Sequence, residues 1–116
     1  MDNRILHNPR CTKSRQTLSL LEEKGVQVPI VEYLTTPPSE SELTEICALL
    51  GVHPTDILRS KESLFKELGL SLKDERSSAE WISIMSEHPK LIERPIVILD
   101  GKAVVRRPPE NVLSII

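Results

Sequence analysis

One of the chain's two cysteines, Cys11, stands in the polar, basic stretch His7-Asn8-Pro9-Arg10-Cys11-Thr12-Lys13-Ser14-Arg15. A short apolar-centred run, Arg4 to His7, precedes this stretch, and leucines at helical spacing follow it. That order predicts a cysteine in the first turn of a helix, where unpaired backbone N–H groups and the positive end of the helix dipole favour a thiolate over a thiol. Thiols in such settings have pKa values lowered from about 8.5 into the range of roughly 3.5 to 7.5, which makes them nucleophiles at neutral pH. His7, Arg10, Lys13 and Arg15 add positive or proton-accepting groups nearby. The chemistry to expect is attack by the Cys11 sulfur.

The neighbouring residues narrow that chemistry. Cys11-Thr12-Lys13-Ser14 reads C-x-x-S, so no local partner thiol can close an intramolecular disulfide, and a second thiol must come from another molecule. A phosphatase-type anion loop would need arginine where Thr17 stands. The other cysteine, Cys47, shares an apolar helix face with Leu43, Ile46 and Leu50, which describes a buried, inert thiol. His53 and His88 have no partners at ligand spacing, so no metal site is expected.

The elements that must position Cys11 follow from the hydrophobic pattern. Arg4 to His7 reads as a strand stopped by Asn8-Pro9. Thr12 to Lys24 reads as a helix carrying Leu18, Leu20 and Leu21 and closed by Gly25. The β-branched run Val26 to Tyr33 reads as a second strand, ending at Thr35-Thr36-Pro37-Pro38. From Ser39 the pattern is helical. Ser39 and Glu42 fit a capping box, a helix runs to Gly51, and shorter helical runs cover Pro54 to Arg59, Glu62 to Leu68 and Ser78 to His88. At Pro95 the pattern returns to β: Ile96 to Leu99 is a strand, Asp100-Gly101 a two-residue turn, and Ala103 to Arg106 the returning strand. Pro108-Pro109 opens a last helix with Val112, Leu113 and Ile116. The order β-α-β, helical block, β-β-α is that of a thioredoxin-like mixed sheet with a helical insertion between its halves, an α/β fold.

The 116 residues suit a single domain, with sheet halves near 1–36 and 89–116 and an insertion near 37–88. The net charge of -2 and pI of about 5.9 provide no global field for nucleic acid or an anionic membrane, so any anion site must be local. The amino terminus carries no leader-like pattern, and no segment approaches the roughly 20 apolar residues of a membrane span, so the expected location is the cytoplasm.

With those residues in place, the chain resembles the glutaredoxin-coupled arsenate reductases of thioredoxin-like fold. HNPRCTKSR is similar to the family's active-site segment, VEYLTTPPS to its second strand and exit, DILRSKE to its arginine segment in the insertion, and ERPIVILDGKAVVRRPPENVL to its carboxyl-terminal hairpin and helix. The resemblance implies Cys11 as nucleophile, His7 as the histidine that helps to acidify it, and Arg59, Arg94 and Arg107 as binders of the oxyanion. Guanidinium groups suit a tetrahedral anion because they offer fixed, forked donors and stay charged. It implies arsenate as substrate, glutathione as co-substrate, glutaredoxin as partner and no bound cofactor. A cis-proline facing the cysteine belongs to such a sheet, and Pro95, beside Arg94, is the candidate. Thr12 stands where the best-known members have glycine, and Arg106 where some carry cysteine. Two other readings fit parts of the pattern: a general glutathione-linked monothiol oxidoreductase, and a regulatory binding module of the same fold. Ser14 speaks against a C-x-x-C redox sensor.

Overall fold

The computed structural model describes residues 1–105 and 109–116. It divides into two compact units, Met1–Thr36 with Arg94–Ile116, and Pro37–Glu93. The second unit includes the short 3-10 turn Pro89–Leu91.

The first unit is built on a four-stranded sheet in the order β2-β1-β3-β4, with β1 Arg4–His7, β2 Ile30–Glu32, β3 Ile96–Leu99 and β4 Lys102–Val105. β1 pairs parallel with β2, His7 opposite Glu32, and antiparallel with β3, Leu6 opposite Ile96. This is the mixed sheet that the element order implies. Asp100 and Gly101 turn β3 into β4, both with positive φ (47° and 78°), the two-residue turn whose twist matches that of the paired strands. The Asp100 N–H donates to Asn3 Oδ1 at 2.7 Å, tying the hairpin to the start of the chain.

Helix α1, Thr12–Glu23, packs its apolar stripe on this sheet: Leu21 joins Ile5, Val97, Leu99 and Val112 in the core, flanked by Leu18, Leu20, Val26, Val28 and Ile115. Each fully buried aliphatic side chain contributes about 1.5 to 3 kcal/mol. Gly25 ends the helix at φ 71°, and the Val26 N–H turns back to the Leu21 carbonyl at 2.9 Å.

Two elements depart from the expected pattern. The second strand is shorter than Val26 to Tyr33, because Pro29 has no N–H to donate and pairing begins only at Ile30. The last helix is a 3-10 turn, Pro109–Ser114; Val112 is buried, whereas Leu113 and Ile116 are exposed.

The second unit is helical: α2 Glu40–Leu50, α3 Ser63–Glu67 and α4 Ser78–Glu87, with 3-10 turns at Pro54–Ile57 and Pro89–Leu91. Ser39 with Glu42, and Ser77 with Glu80, form reciprocal capping boxes that satisfy the first-turn donors of α2 and α4. Trp81 is buried against Phe65 at 6.5 Å between ring centroids. Arg76 covers the Trp81 ring at 5.6 Å and pairs with Asp74 at 3.2 Å. Among the described residues no helix is long and apolar enough to cross a membrane.

Candidate active site

The parallel pairing of β1 with β2 stops at His7, and the chain then has to turn sharply into α1. Asn8 makes that turn and is buried despite its polarity. Its carbonyl accepts the Cys11 N–H at 3.0 Å and its Oδ1 accepts the Arg10 N–H at 3.0 Å, so side chain and backbone close the loop together. The Asn8 N–H donates to Ser14 Oγ at 3.1 Å, and Ser14 Oγ also bonds His7 Nδ1 at 2.7 Å. Ser14 is fully buried, and it ties the end of β1 to the first turn of α1. Arg15 fastens the outer side, donating to the Pro9 carbonyl at 2.8 Å and to Thr12 Oγ1 at 3.3 Å.

This lock puts Cys11 at the N-cap of α1, half-buried, with extended backbone (φ -94°, ψ 121°). At that position a side-chain acceptor normally takes up the orphan N–H groups of the first turn. The neutral thiol closes no such cap. Burial pushes the Cys11 thiol up, but the Ser14 N–H, the hydrogen bond and charge of Arg94, and the Lys13 N–H act against burial and leave the thiol below its ordinary value. The thiolate is thus the form that completes the cap. Cys47 is the opposite case, since burial first and Asp56 second push its thiol up.

Arg94 stands beside the sulfur in the same unit, two residues before β3. The peptide bond between it and Pro95 is cis. Its Nε is buried and has no hydrogen-bond partner among the described residues, which leaves a charged donor open on a side chain that acts on the Cys11 sulfur. His7 is almost fully buried, and burial lowers its pKa; the Glu32 carboxylate opposes this and the Arg15 charge adds to it. The ring is therefore neutral at neutral pH, and among the described residues the positive charge acting on Cys11 comes from Arg94. The turn also borders an open cleft of about 280 Å³ lined by His7, Asn8, Pro9, Arg10, Glu32, Leu34 and Thr35.

The structure thus gathers His7, Cys11 and Arg94, with Pro95 next to Arg94. Arg59 belongs to the second unit, where Nε and Nη2 hold Glu62 Oε1 at 3.1 and 3.0 Å and Nη1 faces Glu93 at 3.5 Å. Arg107 and Arg106 lie outside the described residues. Asn8 and Ser14 were not legible as site residues from sequence: one reads as a strand stop, the other as the absence of a second cysteine. Their only sequence signal is two small polar residues flanking the cysteine in a turn. Among the described residues no group of His, Cys, Asp and Glu could hold a metal ion.

Residues 6–115 match the profile of the ArsC family. The chain belongs to that family. Among its relatives, an arsenate reductase of Haemophilus influenzae is 50% identical over 97% of this chain and 97% of its own. The uncharacterized protein YfgD of Escherichia coli K12 is 46% identical over 97% of this chain and 95% of its own. A solved arsenate reductase from Vibrio cholerae superposes with a TM-score of 0.92 at 47% identity, covering 100% of this chain and 98% of that one. This ArsC-family chain therefore shares both the sequence and the α/β fold of these relatives over nearly its whole length.

Proposed function

We propose that this ArsC-family protein is an arsenate reductase that uses Cys11 as its nucleophile. The observation that carries the reading is the Cys11 thiol, lowered below its ordinary value next to Arg94, whose buried Nε is an open charged donor. A lowered thiol beside a guanidinium suits attack on an anion, because Arg94 favours the thiolate and can also take up negative charge on the incoming oxygens. The names of the Haemophilus and Vibrio relatives support arsenate as that anion.

The Cys11 thiolate attacks arsenic and hydroxide leaves, forming an S–As bond. Glutathione thiolate displaces a second hydroxide. A glutaredoxin thiolate then attacks the glutathionyl sulfur and forms a mixed disulfide. The electron pair of the broken S–As bond stays on arsenic, which passes from As(V) to As(III). Hydrolysis releases arsenite and the free Cys11 thiol. The C-x-x-S sequence requires thiols from outside the chain, and the glutathione, the glutaredoxin and a cytoplasmic location follow from this reading.

His7 acts in this scheme as a positioning residue, neutral and bonded to Ser14, whose N–H faces the sulfur. Anion-binding roles for Arg59 and Arg107 rest on sequence resemblance alone. The deciding experiment is NADPH oxidation coupled through glutathione reductase, glutathione and glutaredoxin. Turnover should depend on arsenate and vanish in Cys11→Ser. Turnover that needs only a mixed disulfide, and ignores arsenate, would make the protein a general monothiol oxidoreductase instead.

A further inference from the structure

The open cleft of about 280 Å³ that borders the active-site turn ends beside the nucleophile, because two of its lining residues, Pro9 and Arg10, lead directly into Cys11. Its walls carry a fixed set of polar groups. His7 and Glu32 are direct partners in the parallel pairing of β1 with β2. Partners in such a ladder stand on strands about 4.8 Å apart and point to the same face of the sheet, so the imidazole and the carboxylate are neighbours. Glu32 is exposed and its backbone is fastened: its carbonyl accepts the Thr35 and Thr36 N–H groups at 3.0 Å and the Thr35 hydroxyl at 3.1 Å. Hydrogen bonds also fix the proton on His7. Ser14 Oγ accepts the Asn8 N–H at 3.1 Å, and among the described residues the acceptor for its own O–H is His7 Nδ1, at 2.7 Å. The neutral ring therefore keeps its proton on Nε2, and an imidazolium carries one there as well. In either form His7 brings an N–H donor to the cleft.

A carboxylate beside two donors, His7 Nε2–H and the exposed Arg10 guanidinium, is the complement of an α-amino-acid head group, whose ammonium and carboxylate sit on one carbon. The volume lies just below the roughly 300 to 1,000 Å³ of pockets that enclose a whole ligand, so it suits a head group better than an entire substrate. We propose that this cleft seats the γ-glutamyl head group of glutathione, its ammonium against Glu32 and its carboxylate against His7 Nε2–H and Arg10, and so delivers the tripeptide's thiol to Cys11. Leu34 and Pro9 supply apolar wall for the carbon chain. The thiol follows the head group by about two residue lengths, roughly 7 Å, and the cleft ends at Arg10, whose Cα is about 3.8 Å from that of Cys11. The proposal rests on the reading of glutathione as the external thiol, but its test contains no arsenate.

The Cys11 thiolate attacks one sulfur of oxidised glutathione; the S–S bond breaks, a glutathione thiolate leaves, and a mixed disulfide with Cys11 remains. Its rate, read at Cys11 by mass spectrometry of the digested protein, is divided by the rate with bis(2-hydroxyethyl) disulfide, which has no head group. Changes in the thiol itself cancel in that ratio. Glu32→Gln should lower the ratio about 1.4- to 5-fold, the span of exposed ion pairs, and Glu32→Lys should lower it further. N-acetylated oxidised glutathione lacks the ammonium, so acetylation should slow the reaction of the wild type and cost nothing in Glu32→Gln. A ratio unchanged in both Glu32 variants would overturn the proposal, as would an acetylation effect of equal size in wild type and Glu32→Gln. S-methylglutathione, which cannot exchange, should shift the amide resonances of Arg10, Glu32 and Thr35 in isotope-labelled wild-type protein and not in Glu32→Lys. Shifts confined to other residues, or no shifts at all, would overturn it too. The failure of arsenate reduction is read from the coupled assay and the failure of the cleft from these two measurements, so the two readings fail separately.

Discussion

The two thiols of this chain differ through their surroundings and not through their own chemistry. Cys11 is lowered by amides and a guanidinium that outweigh its burial, whereas Cys47 is raised by burial with nothing to offset it. Iodoacetamide near neutral pH should therefore label Cys11 rapidly and Cys47 slowly, and mass spectrometry of the digested protein would show equal labelling if the contrast were absent. His7 has the same sign of linkage as a carboxylate with a lowered pKa, and not that of a histidine held charged by a partner. Its folded pKa lies below the ordinary value of 6.5, so the folded state prefers the neutral ring. As pH falls through 6.5 the unfolded chain takes up a proton that the folded chain resists, and stability is lost until the folded pKa is reached. Thermal melts should show a decline on acidification through this window that is smaller in His7→Gln. An unchanged slope in that variant would assign the acid sensitivity to other groups. The helix-start position of Cys11 was legible in the sequence because the cysteine falls between a strand stop and a helical pattern. The lock that aims it was not, because Ser14 Oγ meets His7 and Asn8 only after the chain has turned.

At the scale of elements, the junction between β1 and α1 does work that the other helix starts do not. Ser77 caps α4 by accepting the Glu80 N–H at 3.2 Å, a local arrangement readable from the S-x-x-E spacing. Ser77→Ala should cost about 1 kcal/mol of stability and leave Cys11 alkylation unchanged. Ser14→Ala removes the partner of a buried backbone N–H and of a buried imidazole together. That substitution should cost about 1 to 3 kcal/mol, and it should also shift the Cys11 alkylation profile to higher pH, since the first turn would no longer hold its amides toward the sulfur. Denaturant melts with alkylation profiles on both variants separate the two roles; a Ser14→Ala profile identical to that of Ser77→Ala would reduce Ser14 to an ordinary cap. The same contrast explains which elements were legible. Capping boxes, the Gly25 stop and the Asp100-Gly101 turn are local codes and appear where the sequence puts them. The second strand came out short because Pro29, whose carbonyl accepts the Ile5 N–H at 3.0 Å, has no N–H with which to carry the ladder back toward Val26, which β-branched composition alone does not show.

For the whole molecule, a net charge of -2 means that affinity for an anion has to come from local cations set against the general field. The cation that acts on the thiol, Arg94, belongs with Cys11 to the first unit, and Arg59 belongs to the second. Thiol activation and any contribution of Arg59 to oxyanion use are therefore separable by substitution. Arg59 is engaged by two carboxylates, Glu62 and Glu93, and is one-quarter exposed, so its charge is partly neutralised and solvent-screened. If Arg59 serves the oxyanion, arsenate must compete with those carboxylates for its N–H groups. Arg59→Lys, which keeps the charge and loses the fork, should raise the KM for arsenate several-fold and leave the Cys11 alkylation profile where it is. Glu62→Gln should act in the opposite direction, lowering KM by about 1.4- to 5-fold, the effect of relieving an ion pair worth roughly 0.2 to 1 kcal/mol. Steady-state kinetics on both variants, beside alkylation of Cys11, makes the comparison. A rise in KM with Glu62→Gln, or a shifted Cys11 profile with Arg59→Lys, would remove Arg59 from the oxyanion-binding set and leave its pairing with Glu62 and Glu93 as a structural role within the helical unit.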